Sequence, residues 1–282
     1  MSKPKIILSF LVLLFLIGSA LGSIVWYDDY QKTTEVTFLN VGEGDAILIS
    51  QGANQILIDG GREGRDLLSR LGRHMPFWDR TVETVIATHS DADHIGGFAT
   101  LISTYHIGKF LYTGAKSKTE AFILLERALE KNHRESLKIF RGSTIQLPRG
   151  GDISIEYPLS VLPEEMAETN TGSIVARFSY GTTKMLFTGD LPSEETAIPD
   201  VGPVDILKVA HHGSRFSTSD AFLDQVRPKE AVISVGKNMY GHPSPDVLKR
   251  LEGKNVIVRR TDKEGDITYR CTEAITRCVH VE

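Results

Sequence analysis

Four side chains that commonly bind metals fall within the six residues 89–94 of this chain; they are His89, Asp91, Asp93 and His94. Imidazoles and carboxylates this close together would repel and desolvate one another unless a cation compensated them. A single histidine on an apolar face is more often a packing residue, but that interpretation does not explain four ligand groups in one short run. The run therefore predicts a metal site.

These residues lie at the junction of a predicted strand and a predicted helix. The apolar run 83–87 is typical of a buried strand, and 95–98 begins a helical pattern. Further ligand candidates follow apolar strands in the same way, and they are Asp190, His211, His212 and His242. Taken alone, Asp190 could cap a helix and His242 could be a loop residue. Strand ends that converge at one edge make a shared site the better interpretation.

The body of the chain, residues 34–282, alternates short apolar strands with helical stretches and has no proline-rich or serine-rich linker. This pattern predicts one domain, a layered sandwich with strands inside and helices on the outer faces. The net charge of −4 gives no general attraction to nucleic acid, so a polyanion would need a local patch. Candidates for that patch, which a solvated face explains equally well, are Lys249, Arg250, Lys254, Arg259, Arg260 and Lys263.

The N-terminal 28 residues differ from the rest. Residues 6–26 carry no charge, two lysines precede them, and two aspartates follow them. Such a run can just cross a hydrocarbon core of about 30 Å, and this charge order favours a body outside the cytoplasmic membrane. We predict a signal-anchor over 1–28. A signal peptide cleaved near 20–22 is the alternative, and either one makes the body extracytoplasmic.

The two cysteines, Cys271 and Cys278, lie in two alternating, strand-like runs. A turn at Ala274 and Ile275 would place the cysteines opposite each other in a hairpin, and an exported domain meets oxidising conditions. The sequence therefore favours a disulfide. Two free thiols packed as small hydrophobic side chains are the alternative.

These motifs together resemble the metallo-β-lactamase superfamily, whose usual signature is HxHxDH. A finer resemblance is to the exported metallo-hydrolase domain of ComEC-type DNA-uptake proteins, and bacterial phosphorylcholine esterases share the HxDxDH form. The matching pieces are FLNVGEGD at 38–45, LIDGG at 57–61, HSDADHIGG at 89–97, Asn170 with Ser173, TGD at 188–190, HHGS at 211–214, Ser217 with Thr218, YGHPS at 240–244 and RTD at 260–262. They occur in the order found in that family.

The resemblance implies an α+β fold, a four-layer αββα sandwich with two divalent metal ions at one edge. It assigns His89, Asp91 and one histidine of the 211–212 pair to one metal, and Asp93, His94 and His242 to the other, with Asp190 bridging both. Asp59 would orient a ligand from behind. The usual middle histidine is missing and Asn170 stands near its place, so the 211–212 pair would supply the lost ligand. Which of the two histidines binds is left open.

The implied chemistry is hydrolysis. Two cations roughly 3.5–4 Å apart ionise a water held between them and neutralise charge on a phosphoryl or acyl oxygen. The predicted catalytic residues are Asp93, Asp190 and His242. Asp91, in place of the usual histidine, adds a hard oxygen ligand that favours manganese over zinc. Candidate donors to substrate oxygens, each also explained by turn or cap chemistry, are Asn170, Ser214, Ser217 and Thr218.

We therefore predict an exported phosphodiesterase or nuclease that uses two divalent metals, manganese or zinc, on DNA or another phosphodiester. One alternative is a zinc-dependent hydrolase of a carbonyl substrate, such as a lactone, β-lactam or thioester. The replaced histidine counts against that alternative, because such zinc sites usually contain more imidazole. Another alternative is a non-catalytic anchored binding module, against which the complete ligand set counts.

Overall fold

The computed structural model of the protein describes residues 10–22, 33–272 and 276–281. Residues 10–22 form a helix, α1, whose large apolar side chains are exposed. The remainder of the predicted anchor, 1–9 and 23–28, lies outside the described residues. Within the described ranges, no helix is both long enough and apolar enough to cross a membrane.

The strands of residues 33–272 and 276–281 are short and form two sheets. They are β1 Thr34–Phe38, β2 Ile47–Gln51, β3 Asn54–Ile58, β4 Thr81–Ile86, β5 His106–Tyr112, β6 Ser136–Lys138, β7 Thr144–Gln146, β8 Asp152–Tyr157, β9 Val175–Tyr180, β10 Thr183–Phe187, β11 Ile206–Lys208, β12 Glu230–Ile233, β13 Ile257–Arg260, β14 Ile267–Thr272 and β15 Arg277–Val281. The first sheet has the order β15-β14-β1-β2-β3-β4-β5-β6, and the second has the order β13-β12-β11-β10-β9-β8-β7.

The helices of the body lie between these strands. They are α2 Gly64–His74, α3 Ala92–Ile95, α4 Phe98–Thr104, α5 Glu120–Lys131, α6 Glu194–Ala197, α7 Asp220–Val226, α8 Pro245–Gly253 and α9 Thr261–Glu264, with 3-10 turns at Asn170–Gly172 and Ala210–Gly213. Hydroxyl side chains at Thr119, Ser219 and Ser244 accept a backbone N–H bond at the starts of α5, α7 and α8. These caps satisfy donors that a helix leaves free at its first turn.

The central strands are apolar on both faces because each face packs against a different core. In β3, Ile56 and Ile58 point into the core between the sheets, whereas Leu57 points to the opposite side. Phe38 and Phe187, from different sheets, meet edge to face between them with ring centroids 5.9 Å apart. Successive side chains of a strand alternate between faces, so an unbroken apolar run is what a doubly covered strand requires.

Helices cover the outer face of each sheet. Leu67 of α2 and Phe98 of α4 pack with the outward side chains of the first sheet, and α5 joins the same core. Phe222 of α7 and Val247 of α8 pack in the corresponding core on the second sheet. The four layers confirm the predicted αββα sandwich.

The first sheet ends in a hairpin that carries both cysteines. Cys271 in β14 pairs with Cys278 in β15, and a disulfide joins the two residues. The Cys271 side chain is buried in the core between the sheets. The predicted turn at Ala274 and Ile275 lies outside the described residues.

Parallel strands direct the candidate ligands to one edge of the sandwich. In the first sheet β3 and β4 are parallel, and in the second β10, β11 and β12 are parallel. The backbone N–H of Asp45 donates to the carbonyl of Asp93 at 3.2 Å, and the N–H of Ile174 donates to the carbonyl of Thr88 at 2.9 Å. These bonds hold loops from several strands around the same point.

Candidate metal centre

The predicted ligands lie together at this edge. Six of them line an open cavity of about 180 Å³, and they are Asp91, Asp93, Asp190, His211, His212 and His242. His89 and His94 are buried behind them. Ligand atoms of His89, His94 and Asp190 all lie within 4.8 Å of one another. Residues from two sheets thus converge as the strand ends predicted.

The centre contains buried polar atoms without hydrogen-bond partners. They are Nε2 of His89, His94 and His212, and Oδ1 of Asp190. The other oxygen of Asp190, Oδ2, lies 3.3 Å from His94 Nε2 and 3.4 Å from His212 Nε2. Unpaired buried atoms are rare in folded proteins, and imidazole nitrogens that converge on a carboxylate suit a divalent cation. The residues present therefore fit the metals that the family implies.

His212 lies with Asp93 and His94 in one possible metal group. His212 Nε2 lies 3.4 Å from Asp93 Oδ2, and both share this group with His94. The His242 ring lies next to that of His211, with centroids 5.4 Å apart, and lines the same cavity as Asp93. The assignment of His242 to the metal held by Asp93 and His94 stays a prediction.

A left-handed turn separates the two adjacent histidines. His211 has φ 49° and His212 has φ 53° in the 3-10 turn after β11. Their ring planes are inclined by 81°, with centroids 6.1 Å apart. Both Nε2 atoms nevertheless approach Asp190 Oδ2, at 3.8 Å for His211 and 3.4 Å for His212. Ser234 fixes the inward ring, because its backbone carbonyl accepts a 2.9 Å hydrogen bond from His212 Nδ1. His212 is buried, whereas His211 is partly exposed.

Hydrogen bonds at Nδ1 hold the rings of His89 and His94. The Thr88 and Ser173 hydroxyls lie 3.0 and 3.3 Å from His89 Nδ1. Asp91 Oδ2 lies 3.7 Å from His89 Nε2, and its other oxygen accepts a 2.6 Å hydrogen bond from Thr169. Asp59 Oδ2 lies 2.8 Å from His94 Nδ1. A carboxylate in this position fixes the ring and leaves Nε2 free for a metal, which is the role proposed for Asp59.

Two buried charged residues behind the centre were not predicted. Lys208 has no exposed surface; its ammonium forms an ion pair with Asp45 and donates a 2.9 Å hydrogen bond to the carbonyl of Gly189. Asp45 Oδ1 lies 3.5 Å from His212 Nδ1. Burial opposes the charge on Lys208, but Asp45 and Asp190 outweigh it and raise the pKa of the lysine. The single charged residue in the otherwise apolar run 206–210, Lys208, was the available signal.

Nearby carboxylates stabilise the protonated, positively charged form of the buried imidazoles. Burial disfavours the imidazolium, yet Asp190 outweighs it and raises the pKa of His94 and, to about 10, that of His212. The pKa of Asp190 lies well below its usual value because the histidine charges outweigh its burial. A cation that binds here must displace protons, so metal binding is coupled to proton release.

Two of the predicted substrate donors are engaged inside their own loop. The Ser217 hydroxyl donates to the carbonyls of Ala210 and Ser214 at 2.8 and 2.9 Å. The Thr218 hydroxyl donates to Glu194 at 3.2 Å, and both side chains are buried. For Ser217 and Thr218 these contacts favour the alternative interpretation, turn and cap chemistry that fixes the loop.

The other two predicted donors lie near the cavities. The Asn170 amide lies 3.5 Å from His211 Nδ1, and its Oδ1 has no hydrogen-bond partner. Ser214 lines a neighbouring cleft. Both therefore stay candidates for contact with a substrate.

The predicted basic patch is largely neutralised. Lys254 pairs with Asp224, Arg259 with Glu230, and Arg260 with Asp262. Arg250 donates to backbone carbonyls of residues 215, 217 and 218. These contacts favour the alternative interpretation, a solvated face that holds no polyanion.

Glu194 is a buried carboxyl that holds the loop after the histidine pair. Its two oxygens accept the backbone N–H of Thr218 at 2.9 and 3.0 Å, and Thr218 has φ 53°. Burial raises the pKa of Glu194 to about 7 despite these hydrogen bonds. Its ionisation therefore opposes folding near neutral pH.

We expect the Glu194→Gln variant to gain stability relative to the natural chain as pH rises. The folded-state pKa of about 7 exceeds the unfolded value, so the contribution of Glu194 is full below that unfolded value and is lost as pH rises through 7. Urea unfolding at about pH 5 and about pH 8 should show a relative change on the order of 3 kcal/mol. Effects of the metal-ligand groups are common to both proteins and cancel. An unchanged difference between the two pH values would contradict the assignment.

Comparison of the sequence with known protein families assigns the chain to a superfamily. Residues 39–237 match the sequence profile of the Metallo-beta-lactamase superfamily. The chain belongs to this superfamily. The finding confirms the predicted family, and the superfamily's hydrolase fold is present with residues able to hold metal.

The relatives of this superfamily member are ComEC-type proteins. ComE operon protein 3 of Bacillus subtilis is 33% identical over 261 residues, which cover 84% of this chain and 33% of that protein. Recombination protein 2 of Haemophilus influenzae is 29% identical over 243 residues, which cover 84% of this chain and 29% of that protein. The chain thus spans about a third of the length of these relatives.

Solved structures share the fold at low sequence identity. The metallo-beta-lactamase fold protein YhfI from Bacillus subtilis aligns with a TM-score of 0.58 and 13% identity, covering 85% of this chain and 99% of that one. A CmlA beta-hydroxylase mutant aligns with a TM-score of 0.53 and 14% identity, covering 83% and 53% respectively. At these identities the likeness concerns the fold alone.

Proposed function

We propose that this chain is a divalent-metal-dependent phosphodiesterase that acts on DNA or another phosphodiester outside the cytoplasm. The observation that carries the proposal is the convergence of carboxylates with buried, unpartnered imidazole nitrogens at one edge of the sandwich. Asp91 and Asp93 add hard oxygen donors beside Asp190, which favours manganese over an imidazole-rich zinc site. The names of the relatives, which include a competence protein and a recombination protein, support a substrate related to DNA.

The ligand set suits two cations that share Asp190. Asp190 shares one group of converging ligand atoms with His89 and His94, and Asp93, His94 and His212 form a second group. His212 Nε2 also lies 3.4 Å from Asp190 Oδ2. When bound, divalent metals supply an activated water near neutral pH and positive charge against the phosphoryl oxygens. Asp59 holds the His94 ring in position for this arrangement.

Residues at the cavity mouth can contribute as neutral bases. Burial lowers the pKa of both His211 and His242, so these imidazoles are largely neutral near neutral pH. A neutral imidazole has one unprotonated ring nitrogen, which can bind a metal or accept a proton from an attacking water. Arg62 also lines the cavity, 3.9 Å from Glu43, where a guanidinium can bind a non-bridging phosphate oxygen.

The proposed location is the outer side of the cytoplasmic membrane, with anchoring through the N-terminal segment or release after its cleavage. The exposed apolar side chains of α1 and the charges that flank residues 6–26 support it. The disulfide between Cys271 and Cys278 is typical of an oxidising compartment.

A substrate panel tests the proposed activity. The chain is stripped with a chelator and assayed, before and after addition of manganese or zinc, on bis-p-nitrophenyl phosphate, single-stranded DNA and nitrocefin. We expect metal-dependent cleavage of the two phosphodiesters and none of nitrocefin. Cleavage of nitrocefin alone would establish a carbonyl hydrolase instead. Inactivity on all substrates, with metal shown to be bound, would favour the binding module.

A further inference from the structure

A second cleft opens beside the metal centre. It has a volume of about 600 Å³ and shares His211, Tyr240 and His242 with the smaller cavity that the ligands line. The Tyr240 ring stacks at 5.7 Å on the His242 ring, which is 5.4 Å from the His211 ring. A molecule that occupies this cleft therefore extends directly to the metal-facing imidazoles.

Aromatic side chains are exposed along this cleft. Phe216 is 72% exposed and Tyr240 is 69% exposed, although both line a concave surface. Arg215 places its guanidinium over the Phe216 ring, 4.8 Å from the centroid. The charged lining residues include this arginine and one carboxylate, Asp246. Flat, exposed rings beside a guanidinium plane form a surface on which planar groups can stack.

The loop that presents Arg215 and Phe216 is rigidly held. Arg250 donates to the Ser217 and Thr218 carbonyls at 2.9 Å, and Glu194 accepts the Thr218 N–H. The exposed side chains therefore extend from a fixed backbone. A fixed aromatic platform reduces the entropy cost of binding a planar ligand.

We propose that this cleft binds unpaired nucleobases, so that the preferred substrate is single-stranded nucleic acid. The inference rests on the proposed phosphodiesterase function and names its substrate class. Bases in a duplex have their faces covered by neighbouring pairs, whereas an unpaired base can stack on Phe216 or Tyr240. Its attached phosphate can then reach the neighbouring metal centre past His242.

The same surface favours a base over a choline headgroup. At Phe216 a quaternary ammonium would meet the positive charge of Arg215, whose guanidinium already lies over one face of the ring. A nucleobase is attracted to both the guanidinium plane and the ring. The negative phosphates of a strand also pair with Arg215, whereas a cationic headgroup would be repelled by it.

Binding measured without catalysis tests this proposal. Anisotropy of a fluorescent oligothymidine of roughly 12 nucleotides is followed in excess chelator, against an abasic strand and a hairpin duplex of equal phosphate number. We expect the oligothymidine to bind at least about tenfold more tightly than either competitor. Phe216→Ala and Tyr240→Ala should each weaken it about fivefold or more, whereas Phe216→Trp and Tyr240→Phe should retain it.

Phe77→Ala is the matched control. Phe77 is 81% exposed, but it precedes β4, whereas the metal centre follows β4, so its loss should leave binding unchanged. Equal affinity for base-bearing and abasic strands, or displacement of the strand by phosphocholine, would overturn the proposal. Because no turnover is measured, base-specific binding would stand even if the phosphodiesterase assay failed. Phosphodiester cleavage without any base preference in binding would refute the assignment of the cleft and leave the proposed phosphodiesterase activity standing.

Discussion

The Asp190→Asn variant is expected to lose divalent-metal binding and phosphodiester turnover together. Asp190 Oδ2 approaches two imidazole nitrogens that have no hydrogen-bond partner, so its carboxylate lies at the centre of both predicted metal groups. Substituting a supporting residue around a metal commonly costs 10–100-fold in affinity, and a shared ligand should cost more. We expect a loss of roughly a hundredfold or more in metal affinity, and on the order of a thousandfold in turnover.

Isothermal titration with manganese and a phosphodiester assay on the same samples measure this effect. The Asp66→Asn variant, in the first turn of α2 on the outer face of the first sheet, is the matched control and should behave as the natural chain. Metal affinity that survives the loss of the Asp190 carboxylate would refute a shared ligand at this position. A loss of fold would be visible in the circular dichroism spectrum.

The Lys208→Met variant is expected to be strongly destabilised. Lys208 is fully buried and forms an ion pair with Asp45, so methionine would leave the Asp45 carboxylate without its cation. Removing one partner of a buried ion pair typically costs roughly 3–5 kcal/mol, because the remaining charge has neither water nor counterion. Urea unfolding in the presence of chelator should show a loss of this order.

A matched lysine and a double variant test the cause. Lys184 is exposed in the neighbouring strand β10, and Lys184→Met should change the unfolding free energy little. Adding Asp45→Asn to Lys208→Met should recover part of the loss, since it removes a carboxylate left without its cation. Additive effects of the two substitutions would show that the ion pair is not the source of stability.

The sequence predicted the layers of the fold because their physical signal is local. Strands such as β3 read as unbroken apolar runs, and helices such as α2 show the spacing of a one-sided apolar face. The metal site around His89 and Asp93 was also predictable from the sequence, because carboxylates and imidazoles this close together are unfavourable without a cation. Both features depend on residue type and spacing alone.

Other features depend on backbone geometry that a residue pattern does not record. His211 and His212 can both approach Asp190 because both residues are left-handed, which side-chain chemistry does not indicate. The helical pattern predicted to begin at 95–98 is interrupted at Gly96 and Gly97, between α3 and α4. A Cβ there would lie 2.2 Å from the carbonyl oxygens of Arg62 and Gly60, so the glycines admit the loop that carries Asp59.

Hydrogen-bond and ion-pair partners that are far apart in the chain could not be predicted from the sequence. Lys208 is paired with Asp45, and Arg250 bonds to carbonyls more than thirty residues earlier. A charged residue is expected to be exposed to solvent, because an unpaired charge has a lower free energy in water than in the protein interior. For the same reason Arg250 was predicted to lie in a surface patch.

The predicted ligands are divided between the two sheets, so metal binding is coupled to the docking of the sheets during folding. The 89–94 turn belongs to the first sheet, while Asp190 and His212 follow strands of the second. A partly folded chain with undocked sheets would hold a cation poorly, so bound metal selectively populates the finished sandwich. Scarcity of the ion would then shorten the lifetime of the folded protein.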